Sequence, residues 1–440
     1  MDMWSRAISF EQGFLTASGL SARNLATQFG TPTFFIDEDH FRERARAWSD
    51  SLNLHFGESA GDVYYAAKAF ICTDVARWIK EEGIGIDVCT GGELAVALAG
   101  GIDPKKIEVH GNNKSVAEIE RAVQVGVKTI VIDSLFEIER VAAAATKHGV
   151  RQGVMLRLTP GVEAHTHESI STAHEDVKFG FSIASGAAAV AVAQVLSDAS
   201  LELRGFHCHV GSQIFGTDSF ELAATRIIAL MKACKEKHGI ELPELDLGGG
   251  YAIAYLSDEK TVEPEDVLPS LSAVVKRECA AAGLALPIIS IEPGRNIVGP
   301  TTFTLYEVGT VKDVVLDDGR IRRYISVDGG MSDNLRPSLY GAEYSAVLAD
   351  RASTSPHALS RVVGKHCETG DIVIRDIELP SDIAPGDLLA TPATGAYGRS
   401  MASNYNHVPR PPVVAIKNGK ARVIVRRENE ADLLALDVKE

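Results

Sequence analysis

Apolar residues in the middle of the chain follow two alternating patterns. Short, nearly continuous apolar runs fall at residues 63–69, 84–89, 107–111, 129–133, 153–158, 203–210, 244–248 and 288–292. The stretches between them carry apolar residues at helical spacing, at 73–82, 92–99, 116–125, 135–148, 184–196, 220–238 and 264–282. Continuous apolar runs are typical of buried parallel strands, and eight of them separated by helices predict a (β/α)8 barrel of the TIM type.

The pattern changes after about residue 300. Runs at 303–308, 323–328, 387–390 and 421–425 are alternating or β-branched, and Gly and Pro punctuate them. They predict a second domain, a β-sandwich or β-barrel of roughly 130 residues, so that the fold class is α/β plus β. An earlier β-like run at 31–36 could belong to a separate sheet, and residues 37–56 are predicted to form a helix. The alternative to the barrel is a doubly wound open sheet, but its usual GxGxxG fingerprint is absent.

Bulk composition narrows the class of protein. The chain of 440 residues is long enough for two domains, and its formal charge of -15 argues against a nucleic-acid partner. No apolar run reaches membrane-spanning length, and the N-terminus lacks the apolar segment of a signal peptide. The 6 cysteines include no CxxC pair, which suits free thiols in a reducing compartment. We therefore expect a cytoplasmic protein without a membrane partner.

Lys68 is the single cation near the end of the first apolar run, in the stretch Val63 to Phe70. Partial desolvation there would lower the pKa of its amine and leave more of it as a free nucleophile. A lysine that forms Schiff bases needs such an environment. A strand-end lysine that reaches solvent is the alternative.

The ends of the predicted strands are unusually polar or glycine-rich, and in a barrel they converge on one mouth. Gly248-Gly249-Gly250 would let the backbone approach a phosphate closely, with Ser212 as a further donor. A carboxylate such as Glu292 can keep a pyridine-type nitrogen protonated. His209 could stack on an aromatic cofactor ring, or His207 and His209 could bind a metal with His165, His167 or His174. We favour the cofactor and predict no metal.

The predicted β domain adds three candidate stretches. Cys367 and Glu368 place a thiol beside a carboxylate. The thiol could be a proton donor, and the neighbouring carboxylate could bind the substrate. Arg336 suits forked recognition of a carboxylate. Tyr397 lies in a turn-rich aromatic stretch that could close a site. A buried cysteine and plain surface loops remain the alternatives.

Together these stretches resemble the diaminopimelate decarboxylases, pyridoxal 5'-phosphate enzymes of the alanine-racemase-like fold. The matching motifs, beginning with Tyr64–Lys68, cover nearly the whole chain. The others are 163–167, 174–176, 206–213, 248–250, 292–295, 328–330, 367–371 and 395–406. The resemblance implies a cofactor-binding barrel at 38–300 and a β domain built from 1–37 and 301–440. It also implies a homodimer with shared active sites.

The resemblance further implies a role for each candidate residue. Lys68 would carry the cofactor as a Schiff base, His209 would lie against its ring and Glu292 would meet its pyridine nitrogen. The residues around the phosphate would be Ser212, Gly249, Gly250, Gly294 and Arg295. The residues at the substrate would be Arg295, Arg336, Tyr340, Glu368 and Tyr397, of which Tyr397 also touches the cofactor. Cys367 would donate the proton, and both Cys367 and Glu368 would come from the partner subunit.

The implied reaction is decarboxylation of meso-2,6-diaminopimelate to L-lysine and carbon dioxide, the last step of lysine biosynthesis. Leu335 departs from the family pattern, in which proline often precedes the arginine, and it should alter only the loop. The enzymatic alternatives are decarboxylases of ornithine, arginine or carboxynorspermidine, and a racemase is expected to be shorter. A binding or regulatory protein of the same fold is the non-enzymatic alternative.

Overall fold

The computed structural model describes residues 2–57, 61–162 and 178–438. The chain divides into two compact units. The first, here the β unit, consists of Met1–Glu43, Ile253–Thr261 and Ile297–Glu440. The second, here the barrel unit, consists of Arg44–Ala252 and Val262–Asn296.

Eight parallel strands close into a barrel in the barrel unit. They are Gly61–Ala66, Gly85–Val88, Ile107–Val109, Thr129–Ile132, Gln152–Thr159, Leu201–Cys208, Glu244–Asp246 and Ile288–Ile291. Each strand pairs with the next along the chain, and Ile291 of the eighth pairs with Val63 of the first. The short strand Phe181–Ser182 also pairs with the fifth. The predicted (β/α)8 barrel is therefore confirmed.

Helices alternate with the barrel strands, and all except the short Gly294–Val298 lie at predicted places. They are Glu38–Phe56, Thr73–Glu81, Gly91–Ala99, Val116–Val125, Leu135–His148, Ala187–Leu196, Asp218–His238, Pro264–Ala282 and the short Gly294–Val298. Local residues set their limits: Ser115 and Glu118 form a capping box before Val116, and Gly126 ends that helix at φ 78°. The predicted helix 184–196 begins only at Ala187, because Gly186 precedes it with φ 81°.

The β unit contains a three-stranded sheet and a larger nine-stranded sheet. The smaller sheet consists of Ile8–Glu11, Phe14–Ala17 and Leu20–Ser21. The larger one consists of Thr33–Asp37, Thr302–Val315, Ile321–Val327, Val347–Leu348, His357–Val363, Ile372–Pro380, Leu388–Thr391, Val413–Lys417 and Lys420–Val425. Thr33–Asp37 pairs antiparallel with Thr302–Val315 and parallel with Val413–Lys417, so the early strand joins the C-terminal sheet. The predicted second β domain is confirmed.

Among the described residues, three α-helices lie entirely within the β unit: Ala22–Phe29, Arg336–Tyr340 and Glu430–Leu433. Phe35 and Phe303 from paired strands stack with ring centroids 5.3 Å apart in its core. Across the described parts of both units, no helix combines the length and the apolar content needed to cross a lipid bilayer.

Candidate active site

Lys68 lies in the turn that follows the first barrel strand. Two hydrogen bonds hold this turn: Ala69 N–H donates to the Ala66 carbonyl at 3.1 Å, and the Tyr65 hydroxyl donates to the Phe70 carbonyl at 2.6 Å. The half-buried Lys68 faces a cavity of about 430 Å³, an ordinary size for a small-molecule site. The cavity is also lined by Cys89, His110, Gly111, Asn112, Asn113, Arg157, Phe179, His207, His209 and Glu292. The strand ends therefore converge as the barrel prediction requires.

Glu292 is a buried carboxylate that lines this cavity, and two histidines face it. Its Oε1 lies 3.0 Å from Nε2 of His207 and 3.3 Å from Nε2 of His110. Burial alone would raise the pKa of Glu292, but His110, His207 and Lys68 together hold it well below its usual range. Burial lowers the pKa of both histidines, so neutral rings lie beside an ionised Glu292, but neither Nε2 has hydrogen-bond geometry to its Oε1. The site thus keeps a negative charge inside the barrel.

His209 is held in one orientation by the glycine turn beside it. The Gly249 N–H donates to Nδ1 of His209 at 3.3 Å, which places the proton of the neutral ring on Nε2. Burial, followed by the nearby charge of Lys68, holds the pKa of His209 well below its usual value. A neutral, fixed ring of this kind is suited to lie flat against an aromatic group.

Gly248 to Gly250 form a turn in which side chains have no room. A Cβ at Gly249 would lie 2.1 Å from the Glu292 carbonyl oxygen, and one at Gly250 would lie 2.3 Å from the Gly211 carbonyl oxygen. The neighbouring loop is joined to this turn, because Ile214 N–H donates to the Gly250 carbonyl at 2.9 Å. The loops after the sixth, seventh and eighth strands therefore pack backbone against backbone.

Arg295 and Ser212 meet at the same edge, where the arginine Nη2 donates to the serine Oγ at 2.8 Å. The next residue, Asn296, is fully buried and links the loops to the helix Glu38–Phe56. Its Nδ2 donates to the carbonyls of Ala252 at 3.0 Å and Val262 at 2.8 Å, and its Oδ1 accepts from Trp48 Nε1 at 2.9 Å. This satisfied network fixes the position of Gly294 and Arg295.

The other candidate residues lie in the β unit. Arg336 is buried, its neighbour Tyr340 in the helix Arg336–Tyr340 is half-buried, and Cys367 and Glu368 are exposed. Tyr397 is half-buried and has φ 60°, a conformation that side chains other than glycine rarely adopt. The interpretation of Cys367 as a buried strand-edge thiol is therefore wrong for this chain taken alone.

Comparison with known proteins agrees with this geometry. Residues 38–299 match the family of pyridoxal-dependent decarboxylases, in its pyridoxal-binding domain. Diaminopimelate decarboxylase of Mycobacterium tuberculosis is 52% identical, with 100% of this chain and 98% of that protein covered. The Bacillus subtilis enzyme of the same name is 41% identical, with 97% and 96% covered.

The chain belongs to the diaminopimelate decarboxylase family. A crystal structure of the M. jannaschii diaminopimelate decarboxylase with L-lysine superimposes with a TM-score of 0.90 at 29% identity. That superposition covers 99% of this chain and 98% of the other. The sequence-based recognition of the family and of its decarboxylase class is confirmed.

The residues of this family member fit a pyridoxal group. Glu292 Oε1 is buried without a hydrogen-bond partner among the described residues, and a protonated pyridine nitrogen would satisfy it. The glycine turn carries no side chains, so its backbone can approach a phosphate closely. The same cavity holds an amine, a neutral ring and a carboxylate in one place, which is the donor set that such a cofactor uses.

Two contributors were missing from the sequence-based site. His110 has no predicted role, and His207 is predicted only as an alternative metal ligand, yet both face Glu292. The two histidines and Glu292 also have ligand atoms within 4.8 Å of one another, so these donors could hold a cation. The third ligands considered for a metal (His165, His167 and His174) and the motifs at 163–167 and 174–176 lie outside the described residues.

Glu108 is a second buried carboxyl group near the site. It is opposite Asp87 in the sheet register, and its Oε2 lies 3.9 Å from Nε2 of His110. Burial raises the pKa of Glu108 to about 8, and the carboxylates of Glu292 and Glu244 add to the shift. The carboxyl is therefore largely neutral in the folded protein at pH 7.

Replacing Glu108 with glutamine should make stability less sensitive to pH. The unfolded glutamate has a pKa near 4.3, so the folded state binds this proton more tightly and the wild type loses stability as pH rises from about 4 towards 8. Glutamine cannot ionise. The urea midpoint of Glu108→Gln, taken relative to that of the wild type, should therefore be higher at pH 9 than at pH 6. The exposed Glu139→Gln is the control. A difference between wild type and Glu108→Gln that stays constant with pH would contradict the assignment.

Proposed function

We propose that this chain decarboxylates meso-2,6-diaminopimelate to L-lysine and carbon dioxide, with pyridoxal 5'-phosphate held in the barrel cavity. The observation that carries the proposal is the placement of Lys68 and Glu292 in one cavity. The relatives are named diaminopimelate decarboxylases, and L-lysine as the product would make this the last step of lysine biosynthesis. The cofactor-binding domain spans 38–300, and 1–37 with 301–440 form the β domain.

When bound, the cofactor supplies an electron sink for the electrons that the departing carboxylate leaves behind. Lys68 would hold it covalently and afterwards release the product. Glu292 would keep the proton on the pyridine nitrogen, and His209 would cover the ring. The residues that would surround the phosphate are Ser212, Gly249, Gly250, Gly294 and Arg295; the contact between Ser212 and Arg295 supports this grouping.

Arg336 supports a substrate with a second carboxylate. Its guanidinium is buried, and no carboxylate of the described residues forms an ion pair with it. An uncompensated buried cation is costly, so an anionic ligand is the expected partner. In the proposal, Arg336 and Tyr340 bind the distal carboxylate, while Arg295 and Tyr397 hold the reacting end. Ornithine and arginine have no distal carboxylate, which disfavours them.

Cys367 and Glu368 act in the active site of a second copy of the chain, so that the enzyme is a homodimer. Both side chains are exposed, whereas the residues on either side anchor the loop. Buried Asp371 accepts from the N–H groups of His366 at 2.8 Å and Met331 at 2.6 Å. In the dimer, the thiol of the partner subunit's Cys367 gives its proton to the carbon that lost the carboxylate. The partner subunit's Glu368 binds the distal ammonium group.

Mixing two inactive variants tests this sharing. Lys68→Ala and Cys367→Ala should each be inactive, but after subunit exchange one site of every mixed dimer is intact. An equal mixture should therefore recover about a quarter of wild-type activity. Native mass spectrometry verifies that mixed dimers have formed. Mixed dimers without recovered activity would show that both residues serve the same subunit's site.

A product assay tests the activity itself. Purified protein with pyridoxal 5'-phosphate is incubated separately with meso-diaminopimelate, ornithine, arginine and carboxynorspermidine, and the amines formed are identified by mass spectrometry. We expect lysine from diaminopimelate and no product from the others. Turnover of a different substrate would refute the substrate assignment, and no turnover at all would refute the decarboxylase proposal and favour a binding or regulatory role.

A further inference from the structure

Three side chains of the β unit form a compact group around a cation, here the tyrosine–arginine cluster of Tyr255, Arg336 and Tyr344. The Arg336 Nη1 donates to the Tyr344 hydroxyl at 2.5 Å. The guanidinium carbon lies 4.6 Å from the ring centroid of Tyr255 and 5.5 Å from that of Tyr344. The two rings meet edge to face, with centroids 5.1 Å apart and planes at 77°. The arginine is therefore held from two directions by aromatic groups.

The cluster holds the cation without neutralising it. Arg336 is only 7% exposed, yet its neighbours in the cluster are tyrosines rather than acids. Aromatic faces attract a guanidinium through the ring quadrupole, and a hydroxyl takes one of its five N–H donors. An aspartate or glutamate in either place would occupy the donor fork and cancel the charge. The tyrosines leave both the charge and the remaining donors available to an anionic ligand.

Separate local structures position the two rings. Tyr255 belongs to the segment Ile253–Thr261, which groups with the β unit although it follows the seventh barrel strand in sequence. Glu259 fixes this segment by accepting from the Tyr255 N–H at 2.7 Å and the Leu256 N–H at 3.1 Å. Tyr344 follows the helix that carries Arg336, and Gly341 ends that helix at φ 63°. Both rings are buried.

We infer that Tyr255 and Tyr344 are positioning residues that determine specificity for a substrate with a distal carboxylate. They hold the guanidinium of Arg336 in the orientation that accepts this group through paired hydrogen bonds. The inference rests on the proposed function, since it takes meso-diaminopimelate as substrate and L-lysine as product. It assigns the preference for a dicarboxylate to residues that need not touch the substrate themselves.

Three variants test the inference in the loaded enzyme. Tyr344→Phe removes the hydroxyl that accepts from Arg336, Tyr255→Leu removes a ring face, and Tyr255→Phe keeps that face. The measurements are kcat and KM for meso-diaminopimelate, and inhibition by L-lysine and by 1,5-diaminopentane. L-Lysine retains the distal carboxylate of the substrate, whereas 1,5-diaminopentane has no carboxylate.

Tyr344→Phe and Tyr255→Leu should each raise KM and the L-lysine inhibition constant about tenfold, with kcat changed less than about threefold. Inhibition by 1,5-diaminopentane should stay as in the wild type, and Tyr255→Phe, which keeps the ring face, should raise KM and the L-lysine inhibition constant less than Tyr255→Leu does. Equal weakening of both inhibitors, or a loss confined to kcat, would overturn the inference, because either result indicates general damage to the site.

The two proposals can fail separately. If the wild type does not turn over meso-diaminopimelate, the proposed function fails, and calorimetry with L-lysine then tests the cluster alone. Tenfold weaker binding of L-lysine to Tyr344→Phe, with thermal midpoints of the variants close to the wild type, would support the inference. Unchanged L-lysine binding, or no binding by the wild type, would overturn it.

Discussion

Lys68→Ala is expected to abolish decarboxylation, lowering kcat by about 10⁴-fold or more. The amine serves twice in the proposed reaction, since it attaches the cofactor and later releases the product. It lies in a turn fixed by two hydrogen bonds, so its loss should leave the barrel intact. Activity is measured as carbon dioxide released from meso-diaminopimelate, and folding by circular dichroism.

A chemical readout accompanies this prediction. Borohydride reduction followed by peptide mass spectrometry should find the cofactor mass on the Lys68 peptide of the wild type and nowhere in Lys68→Ala. Lys105→Ala, an exposed lysine on the barrel, is the matched control and should behave like the wild type. Cofactor attached to another lysine of the wild type would refute the assignment of Lys68.

Glu292→Gln is expected to lower kcat by about 10²- to 10³-fold while the cofactor remains bound. Glutamine has nearly the same shape but no charge, so it cannot keep the pyridine nitrogen protonated. The carboxylate is ionised because His110 and His207 face it and Lys68 is near, although burial alone would raise its pKa. The loss should therefore appear in kcat rather than in cofactor content, which absorbance spectroscopy measures.

Two further variants separate the charge from the packing around it. His110→Asn should give an intermediate loss of about tenfold, because it removes one of the two imidazole rings that lower the pKa of Glu292. The exposed Glu139→Gln should have no effect. Activity of Glu292→Gln within about threefold of the wild type would mean that the charge of Glu292 has no part in the reaction.

The barrel could be predicted almost completely from the sequence. Its strands are buried on both faces and therefore read as apolar runs, and its helices carry their own limits, as Ser115 and Gly126 do for Val116–Val125. The ends of these strands must meet at one end of the barrel. Lys68, His209 and Glu292 could therefore be assigned to one site from the sequence alone. The local pattern was sufficient there because the topology repeats.

The remaining features depend on contacts between distant segments. Nothing in the run 31–36 shows that it pairs with strands on both sides within the C-terminal sheet. The approach of His110 to Glu292 depends on the curvature of the closed barrel. The contact of Tyr255 with Arg336 arises because the segment Ile253–Thr261 belongs to the β unit. A polar residue at a strand end was the available signal for His110, whereas Tyr255 carried none.

Isotope incorporation tests the central claim most directly. The wild-type enzyme is incubated with meso-diaminopimelate in deuterium oxide, and the amino acids and carbon dioxide are quantified by mass spectrometry. Decarboxylation replaces the bond to the carboxylate with a bond to one solvent-derived hydrogen. We predict equal amounts of carbon dioxide and L-lysine, with one non-exchangeable deuterium on the carbon that lost the carboxylate. Deuterium in recovered diaminopimelate, without lysine or carbon dioxide, would instead show proton exchange of the racemase type and would contradict the account.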